Sequence, residues 1–204
     1  ALRKYCLGSN GMIQDGPGIE AYSQHVQVFA LLTDTLSPQQ GKANLLETIL
    51  HKENYAQCSV AMSFYLYRAL QKAELYEMTD DYWNIWRRMI KNNATTCVEA
   101  EAGERSECHA WGSLALYELP SVILGVYPAE PGYRSVAIAP TPGYLTWAKG
   151  EVMTPHGLVK VEWKKDGAGL NVSYQVPEGM NVHAASSVDK RKGMIKLFYK
   201  REGE

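Results

Sequence analysis

The spacing of apolar residues changes along the chain, from helical spacing in its first part to alternation in its last part. Residues three and four apart share one face of a helix, and this spacing predicts five helices before Gly125. Ser37 and Pro38 suit the N-cap and first position of the second helix, and Gln40 is placed to complete a capping box. Pro120 should kink or divide the fifth helix, because proline lacks the backbone N–H. The predicted helices cover about 19–36, 37–50, 59–75, 80–90 and 109–125.

Beyond Gly125, short alternating runs are separated by glycine, proline and asparagine. In the clearest run, Leu158-Val-Lys-Val-Glu-Trp163, apolar residues alternate with Lys and Glu. Period-two runs with turn signals at roughly 8–12-residue intervals are typical of an antiparallel β-sandwich or Greek-key domain. The sequence therefore predicts separate α and β domains, a helical domain over 1–125 and an antiparallel β-domain over 126–204. Further strand candidates are 136–139, 145–153, 170–176 and 194–199.

Composition narrows the classes of partner. The formal net charge is −1 and no block of Lys or Arg stands out, so electrostatics give no case for a nucleic-acid partner. No apolar run reaches the roughly 20 residues that a membrane-spanning helix needs. The chain opens Ala-Leu-Arg with neither Met nor a signal-peptide pattern, and we expect this start to be a cut in a longer protein.

The cysteines lack the spacing of a metal site. We expect reduced, buried thiols, with a Cys97–Cys108 disulfide as the alternative because these two residues flank one short loop. The cysteines therefore do not indicate whether the protein is exported from the cytoplasm. They are Cys6, Cys58, Cys97 and Cys108.

Residues 94–111 concentrate side chains suited to chemistry. They lie between two predicted helices, and loops at helix ends present functional groups from a rigid scaffold. Carboxylic acids cleave glycosidic bonds and aromatic faces stack on sugars, so the segment fits a carbohydrate site. Composition alone favours a solvated acidic loop with local ion pairs, and it does not choose among the glutamates. The residues concerned are Glu99, Glu101, Glu104, Arg105, Glu107, His109 and Trp111.

Within this loop, Ala94-Thr-Thr-Cys-Val-Glu99 is followed by Arg105-Ser-Glu-Cys-His-Ala-Trp111. The pair of strings resembles the T-T-x-x-E … R-S-x-C-H-A-W segment of glycoside hydrolase family 78, the bacterial α-L-rhamnosidases. Similar stretches occur in the same order from about residue 10 to residue 185. They are Asp15-Gly-Pro, Ala21-Tyr-Ser-Gln-His25, the passages 123–140 and 150–163, and the turn Val176-Pro-Glu-Gly179.

The resemblance implies a fold and a set of roles. Family members have an (α/α)6 toroid followed by a β-domain, and they invert configuration: one carboxylic acid protonates the leaving oxygen while a second carboxylate activates water. By this resemblance Glu99 is the general base and His109 contacts the sugar in the −1 subsite. Trp111, Glu101 and His25 are further candidates for substrate binding, and Glu101 is also the rival for the base.

The family's general acid lies in a motif among the first toroid helices, and the chain contains no such motif. We therefore expect a fragment of an inverting glycoside hydrolase that removes terminal α-L-rhamnose, inactive alone and packed against the missing N-terminal part. The expected partner is a rhamnosylated glycan or glycoside, and no cofactor or metal is implied. A bacterial periplasmic or extracellular location is favoured, and the cytoplasm stays open.

Two other interpretations stay open. Family members often have an aromatic residue where Cys97 and Val98 stand, so a related toroidal glycosidase that acts on a different sugar is one alternative. A carbohydrate-binding or structural module is the other, and it would need an exposed aromatic strip on the β-domain. The aromatic residues concerned are Tyr144, Trp147, Trp163 and Tyr174.

Overall fold

The computed structural model describes residues 1–100, 106–167, 169–184 and 196–201. The chain divides into two units, Ala1–Leu114 and Ala115–Glu204. The helix that starts at Leu114 is thus grouped mostly with the second unit, whereas the sequence interpretation assigns it to the first. The domain limits 1–125 and 126–204 stay a prediction. The mixed class of helices and sheets is confirmed, while these helices do not by themselves show a toroid.

Helix α3 (Pro38–Leu50) has its predicted extent, whereas the helices predicted over 19–36, 59–75 and 80–90 are shorter or divided. Ser37 caps α3 as predicted, since its hydroxyl accepts from the N–H of Gln40 at 3.2 Å. Helix α2 (Gln24–Leu32) starts at Gln24 because Ser23 is its N-cap. The Asp15 carboxylate accepts hydrogen bonds from the backbone N–H of Ser23 at 2.9 Å and from the Ser23 hydroxyl at 2.7 Å. The α-helices are α1 Leu2–Tyr5, α2 Gln24–Leu32, α3 Pro38–Leu50, α4 Ser63–Lys72, α5 Thr79–Tyr82, α6 Asn84–Lys91 and α7 Leu114–Glu118.

Buried amide side chains hold the irregular segments of the first unit against α2. The Gln27 amide donates to the Ile13 carbonyl at 2.7 Å and accepts from the Ile13 N–H at 3.1 Å. Gln24 accepts from the Cys58 N–H at 3.0 Å and donates to the Tyr82 hydroxyl at 3.1 Å. Both glutamines are fully buried, so these bonds satisfy backbone groups that would otherwise lose their partners in the core.

Four aromatic side chains form the core beside α4 and α6. Tyr67 packs edge-on against Trp83 and Trp86, with ring centroids 5.5 and 6.4 Å apart, and the two tryptophans are 5.3 Å apart. Tyr76 contacts Tyr67 in the same geometry at 6.2 Å. All four are buried, so Trp83 and Trp86 belong to the core of the first unit.

The second unit begins with a divided helix. Helix α7 continues as a π-helical turn, Leu119–Ile123, with Pro120 near its start. Pro120 cannot donate a backbone hydrogen bond, so the predicted division of the helix at this residue is confirmed. Gly125 follows in the left-handed conformation, with φ of 80°. The Trp163 indole N–H donates to the Ile123 carbonyl at 2.9 Å and so fastens the end of this helix to the sheet.

The strands of the second unit form two sheets. The first sheet contains β1 (Val126–Pro128), β2 (Ser135–Ile138) and β6 (Asn181–Ala184), and they are adjacent in that order. The second sheet has the order β3 (Trp147–Thr154), β4 (Gly157–Asp166), β5 (Gly169–Gln175) and β7 (Lys196–Arg201). In β4, Val159, Val161 and Trp163 are buried while the residues between them are exposed, as the alternation predicts.

The prediction of a purely antiparallel β-domain is wrong. The pairs β1–β2, β3–β4 and β4–β5 are antiparallel, but β2–β6 and β5–β7 are parallel. Parallel neighbours need a crossover, and the chain makes one by leaving β5 for β6 in the other sheet before it returns as β7. Alternation along a strand reports which face is buried and not the direction of the neighbouring strand, so the pattern could not reveal this.

The Gly125 conformation can be tested against Gly179, which also has a positive φ, 76°. A methyl group on Gly125 would overlap the peptide between Ala139 and Pro140, whereas nothing lies within 4 Å of the equivalent point on Gly179. We expect Gly179→Ala to lower the free energy of unfolding by about 1–2 kcal/mol, the cost of a left-handed alanine. Gly125→Ala should cost about 1–3 kcal/mol more, because the backbone must also shift. Equal losses in urea unfolding would contradict this packing.

Candidate active site

The loop after α6 brings the two halves of the sequence motif together. The Glu99 N–H donates to the Ser106 carbonyl at 2.9 Å, and the His109 N–H donates to the Cys97 carbonyl at 2.8 Å. The Thr96 hydroxyl donates to the Glu107 carbonyl and so also joins the two halves. Residues 97–99 and 106–109 therefore run side by side, which places the predicted base and the predicted sugar-contacting histidine on neighbouring segments.

A glycine lies where the second segment turns into the next helix. The Gly112 N–H donates to the His109 carbonyl at 2.9 Å, and the buried Gly112 packs against the first segment. A methyl group here would lie 2.7 Å from Cys97 Cβ and 2.8 Å from the Val98 carbonyl oxygen, so any side chain would force the segments apart. The Gly112 carbonyl accepts from the Trp86 indole N–H at 2.7 Å.

His109 and Trp111 form an aromatic pair at the same turn. Their ring centroids are 5.1 Å apart with the planes at 73°. Trp111 lies on the 3-10 turn Ala110–Ser113 and is 67% exposed, while His109 is half-buried. A tryptophan face open to solvent beside an imidazole can stack on a sugar ring and bind its hydroxyl groups.

The structure does not bring all the remaining predicted site residues to this turn. Glu99 is half-buried on the paired segment. Glu101 lies outside the described residues. His25 is half-buried on α2, and in the part of the chain that the structure describes, no hydrogen bond, ion pair or ring contact joins it to the loop. The structure thus brings together the segments of Glu99 and His109, with Trp111 beside His109, and it gives no contact that adds His25.

A cavity of about 450 Å³ borders the loop. Thr96, Val98 and Ala100 line it, whereas Cys97 and Glu99, which alternate with them, do not. The cavity therefore lies on one side of the first segment. Cys97 packs against Gly112 on another side of this segment. The wall from α6 includes Arg88. The sequence predicts this helix, but not its place beside the cavity, because its end carries no motif. The other lining residues are Ile85, Met89, Asn92, Asn93, Ala94, Thr95 and Glu107.

All four cysteines are free, so the expected reduced state is confirmed and the alternative Cys97–Cys108 disulfide is not formed. The expectation that all are buried is wrong, since Cys6 is buried, Cys58 and Cys97 are half-buried and Cys108 is exposed. Cys97 lies by its Cβ near Gly112, whereas Cys108, on the second segment, is open to solvent. Burial raises the pKa of the Cys58 thiol to about 12.

Among the residues that the structure describes, no group of three or more His, Cys, Asp or Glu side chains is arranged to hold a metal ion. Across the same ranges, no helix combines the length and the apolar character that crossing a membrane requires.

Comparison with known proteins identifies the class. Residues 125–193 match the family model of the bacterial alpha-L-rhamnosidase C-terminal domain. A GH78 family rhamnosidase of Bacillus sp. GL1 is similar over 98% of this chain and 23% of that one, with a TM-score of 0.75 and 29% identity. The alpha-L-rhamnosidase of Aspergillus terreus shares the fold over 88% of this chain and 23% of its own, with a TM-score of 0.67 and 23% identity.

An alpha-L-rhamnosidase of Alteromonas sp. (strain LOR) is 25% identical over 148 residues, which are 72% of this chain and 14% of that protein. The chain therefore spans well under a third of the relatives that it matches. These relatives are glycosidases of one kind, and the family predicted from the motifs is confirmed. The chain is similar to the C-terminal part of the rhamnosidases of glycoside hydrolase family 78.

The thiols provide a test of the loop. Alkylation proceeds through the thiolate, so a buried thiol with a raised pKa reacts slowly. At about pH 8, iodoacetamide should modify Cys108 first and leave Cys58 unmodified until the protein is unfolded. Peptide mass spectrometry would follow each site, with Cys108→Ser as the control that loses the fast phase. Resistance of both Cys97 and Cys108 until a reductant is added would contradict the free thiols.

Proposed function

We propose that this chain supplies the general base, Glu99, to an inverting glycoside hydrolase that removes terminal α-L-rhamnose from glycosides or polysaccharides. The observation that carries the proposal is the backbone pairing of residues 97–99 with 106–109, the two segments to which Glu99 and His109 belong. The similarity to GH78 and other alpha-L-rhamnosidases supports the sugar.

The base would act on water. A carboxylate at Glu99 accepts a proton from a water molecule as that water attacks the anomeric carbon on the face opposite the leaving oxygen. In inverting enzymes the acid and base carboxyls stand about 6.5–9.5 Å apart so that the water fits between them. The acid would come from the part of a longer protein that precedes these residues, so this chain alone should not turn over substrate.

His109 and Trp111 would contact the sugar. The half-buried imidazole can donate or accept a hydrogen bond with a hydroxyl group, and the exposed indole offers an apolar face. Because their rings contact each other, the pair would present both kinds of contact from one turn. Glu101 is kept as a second substrate-binding candidate and as the rival base, on the resemblance alone.

The helices of the first unit would be part of an (α/α)6 toroid. Apolar side chains at the helix ends, such as Leu50 at 65% and Ile90 at 77% exposed, lie open to solvent in this chain. In a complete toroid, neighbouring helices from the N-terminal part would cover such side chains. This supports a chain that packs against the preceding part of a longer protein.

A carbohydrate-binding module is less well supported. The aromatic strip it needs is interrupted, because Trp163 is fully buried. Trp147 is exposed, while Tyr144 and Tyr174 are half-buried. The hydrolase therefore remains the better interpretation. A glycosidase that acts on another sugar would be distinguished from an α-L-rhamnosidase by which glycosides the enzyme hydrolyses.

The proposal predicts the effect of Glu99→Gln in the longest natural chain that contains these residues. Glutamine keeps the shape but cannot accept the proton, so kcat on an aryl α-L-rhamnoside should fall by about 10²–10⁴-fold with little change in KM. Initial rates on a panel of aryl glycosides would measure both the loss and the sugar preference. Glu77→Gln, the same change at an exposed helical position, is the control and should keep full activity.

Three outcomes would correct or contradict the proposal. Activity that survives Glu99→Gln but is lost in Glu101→Gln would move the base to Glu101. Hydrolysis of a different glycoside, still lost with Glu99, would keep the mechanism and overturn the sugar. Activity indifferent to both glutamates would show that the loop is structural.

A further inference from the structure

The indole of Trp86 connects the aromatic core to the candidate site. Its N–H donates at 2.7 Å to the carbonyl of Gly112, the residue that follows the His109–Trp111 turn. Trp86 is 7% exposed, and contacts with Tyr67 and Trp83 fix its ring plane. A short bond from a ring held on two sides leaves the Gly112 peptide little freedom.

Gly112 passes this restraint to the segment of the proposed base. Its N–H bonds the His109 carbonyl, and the His109 N–H bonds the Cys97 carbonyl, two residues before Glu99. The Gly112 Cα also packs directly against Cys97 and Val98, with no room for a methyl group. Hydrogen bonds and packing thus form one continuous path from Trp86 to the segment that ends at Glu99.

Trp83 is a neighbour without this connection. It is 6% exposed and belongs to the same aromatic cluster, 5.3 Å from Trp86. Among the described residues its indole N–H has no hydrogen-bond partner. Two tryptophans of similar burial therefore differ in their indole N–H groups: that of Trp86 bonds the Gly112 carbonyl and that of Trp83 does not.

We propose that Trp86 and Gly112 are positioning residues for the general base. Trp86 fixes the Gly112 peptide, and Gly112 sets the separation between the His109 turn and the segment that carries Glu99. This role rests on the proposed function of Glu99. A base must be aligned with its water in the transition state, so loss of the restraint should lower kcat while substrate binding is largely kept.

The matched variants Trp86→Phe and Trp83→Phe test the proposal in the longest natural chain that contains these residues. Each removes an indole N–H and one ring from the same cluster, so their losses of thermal stability should be similar. Trp86→Phe should lower kcat about 10- to 100-fold with KM nearly unchanged. Trp83→Phe should leave kcat at the wild-type value. If Trp86→Phe does not fold, Trp86→benzothienylalanine keeps the bicyclic shape and replaces the N–H by sulfur.

Gly112→Ala and the double variant test the path itself. Gly112→Ala should also lower kcat, and the double variant with Trp86→Phe should lose less than the product of the two single losses, because both changes release the same restraint. Hydrogen exchange read by mass spectrometry on peptides covering residues 95–113 should rise in Trp86→Phe and not in Trp83→Phe. This readout does not depend on catalysis.

The outcomes separate this inference from the function on which it rests. If Glu99→Gln abolishes turnover but Trp86→Phe and Trp83→Phe have equal kcat and equal exchange, the positioning role is overturned and the base stands. The positioning role is also overturned if the loss of kcat in the double variant equals the product of the losses in the two single variants. If Glu99→Gln is active while exchange rises in Trp86→Phe alone, the restraint is real and the proposed base is wrong.

Discussion

The candidate site depends on the pairing of residues 97–99 with 106–109. Two backbone hydrogen bonds, from Glu99 N–H to Ser106 and from His109 N–H to Cys97, join strings that are separated by a loop in the sequence. A loop of this kind has few apolar side chains of its own to hold it. The aromatic core contacts the paired segments directly, since the Trp86 indole bonds Gly112 and Gly112 contacts Cys97 and Val98.

Each of the two units contains a hydrogen bond from a buried tryptophan indole to a backbone carbonyl. In the first, a buried tryptophan on α6 donates its N–H to a backbone carbonyl in a turn; in the second, the fully buried Trp163 of β4 donates to the Ile123 carbonyl. Each bond satisfies a polar atom inside an apolar core and also ends a helix or a turn at a defined point. Gly125 then allows the chain to pass against the Ala139–Pro140 peptide, which a side chain would prevent.

The sequence predicts those features of the fold that depend on residues close together in the chain. The Ser37 cap, the division of a helix at Pro120 and the alternation of β4 each depend on neighbours in the sequence, and the structure confirms all three. The late start of α2 and the parallel pairs of β2 and β5 depend on distant partners, namely Asp15 and the crossover through the other sheet. The role of Glu99 came from family resemblance, since composition could not choose among the glutamates. The link from Trp86 to Gly112 was missed because an indole N–H has no sequence signature.

The central claim is that Glu99 activates water for direct attack. The anomeric configuration of the first sugar released tests it most directly, read by proton NMR before mutarotation, with the longest natural chain that contains these residues and an aryl α-L-rhamnoside. The account predicts that β-L-rhamnose appears first, because water attacks from the face opposite the leaving group. Initial release of α-L-rhamnose would contradict it, since retention requires a carboxylate that bonds to the sugar and not one that activates water.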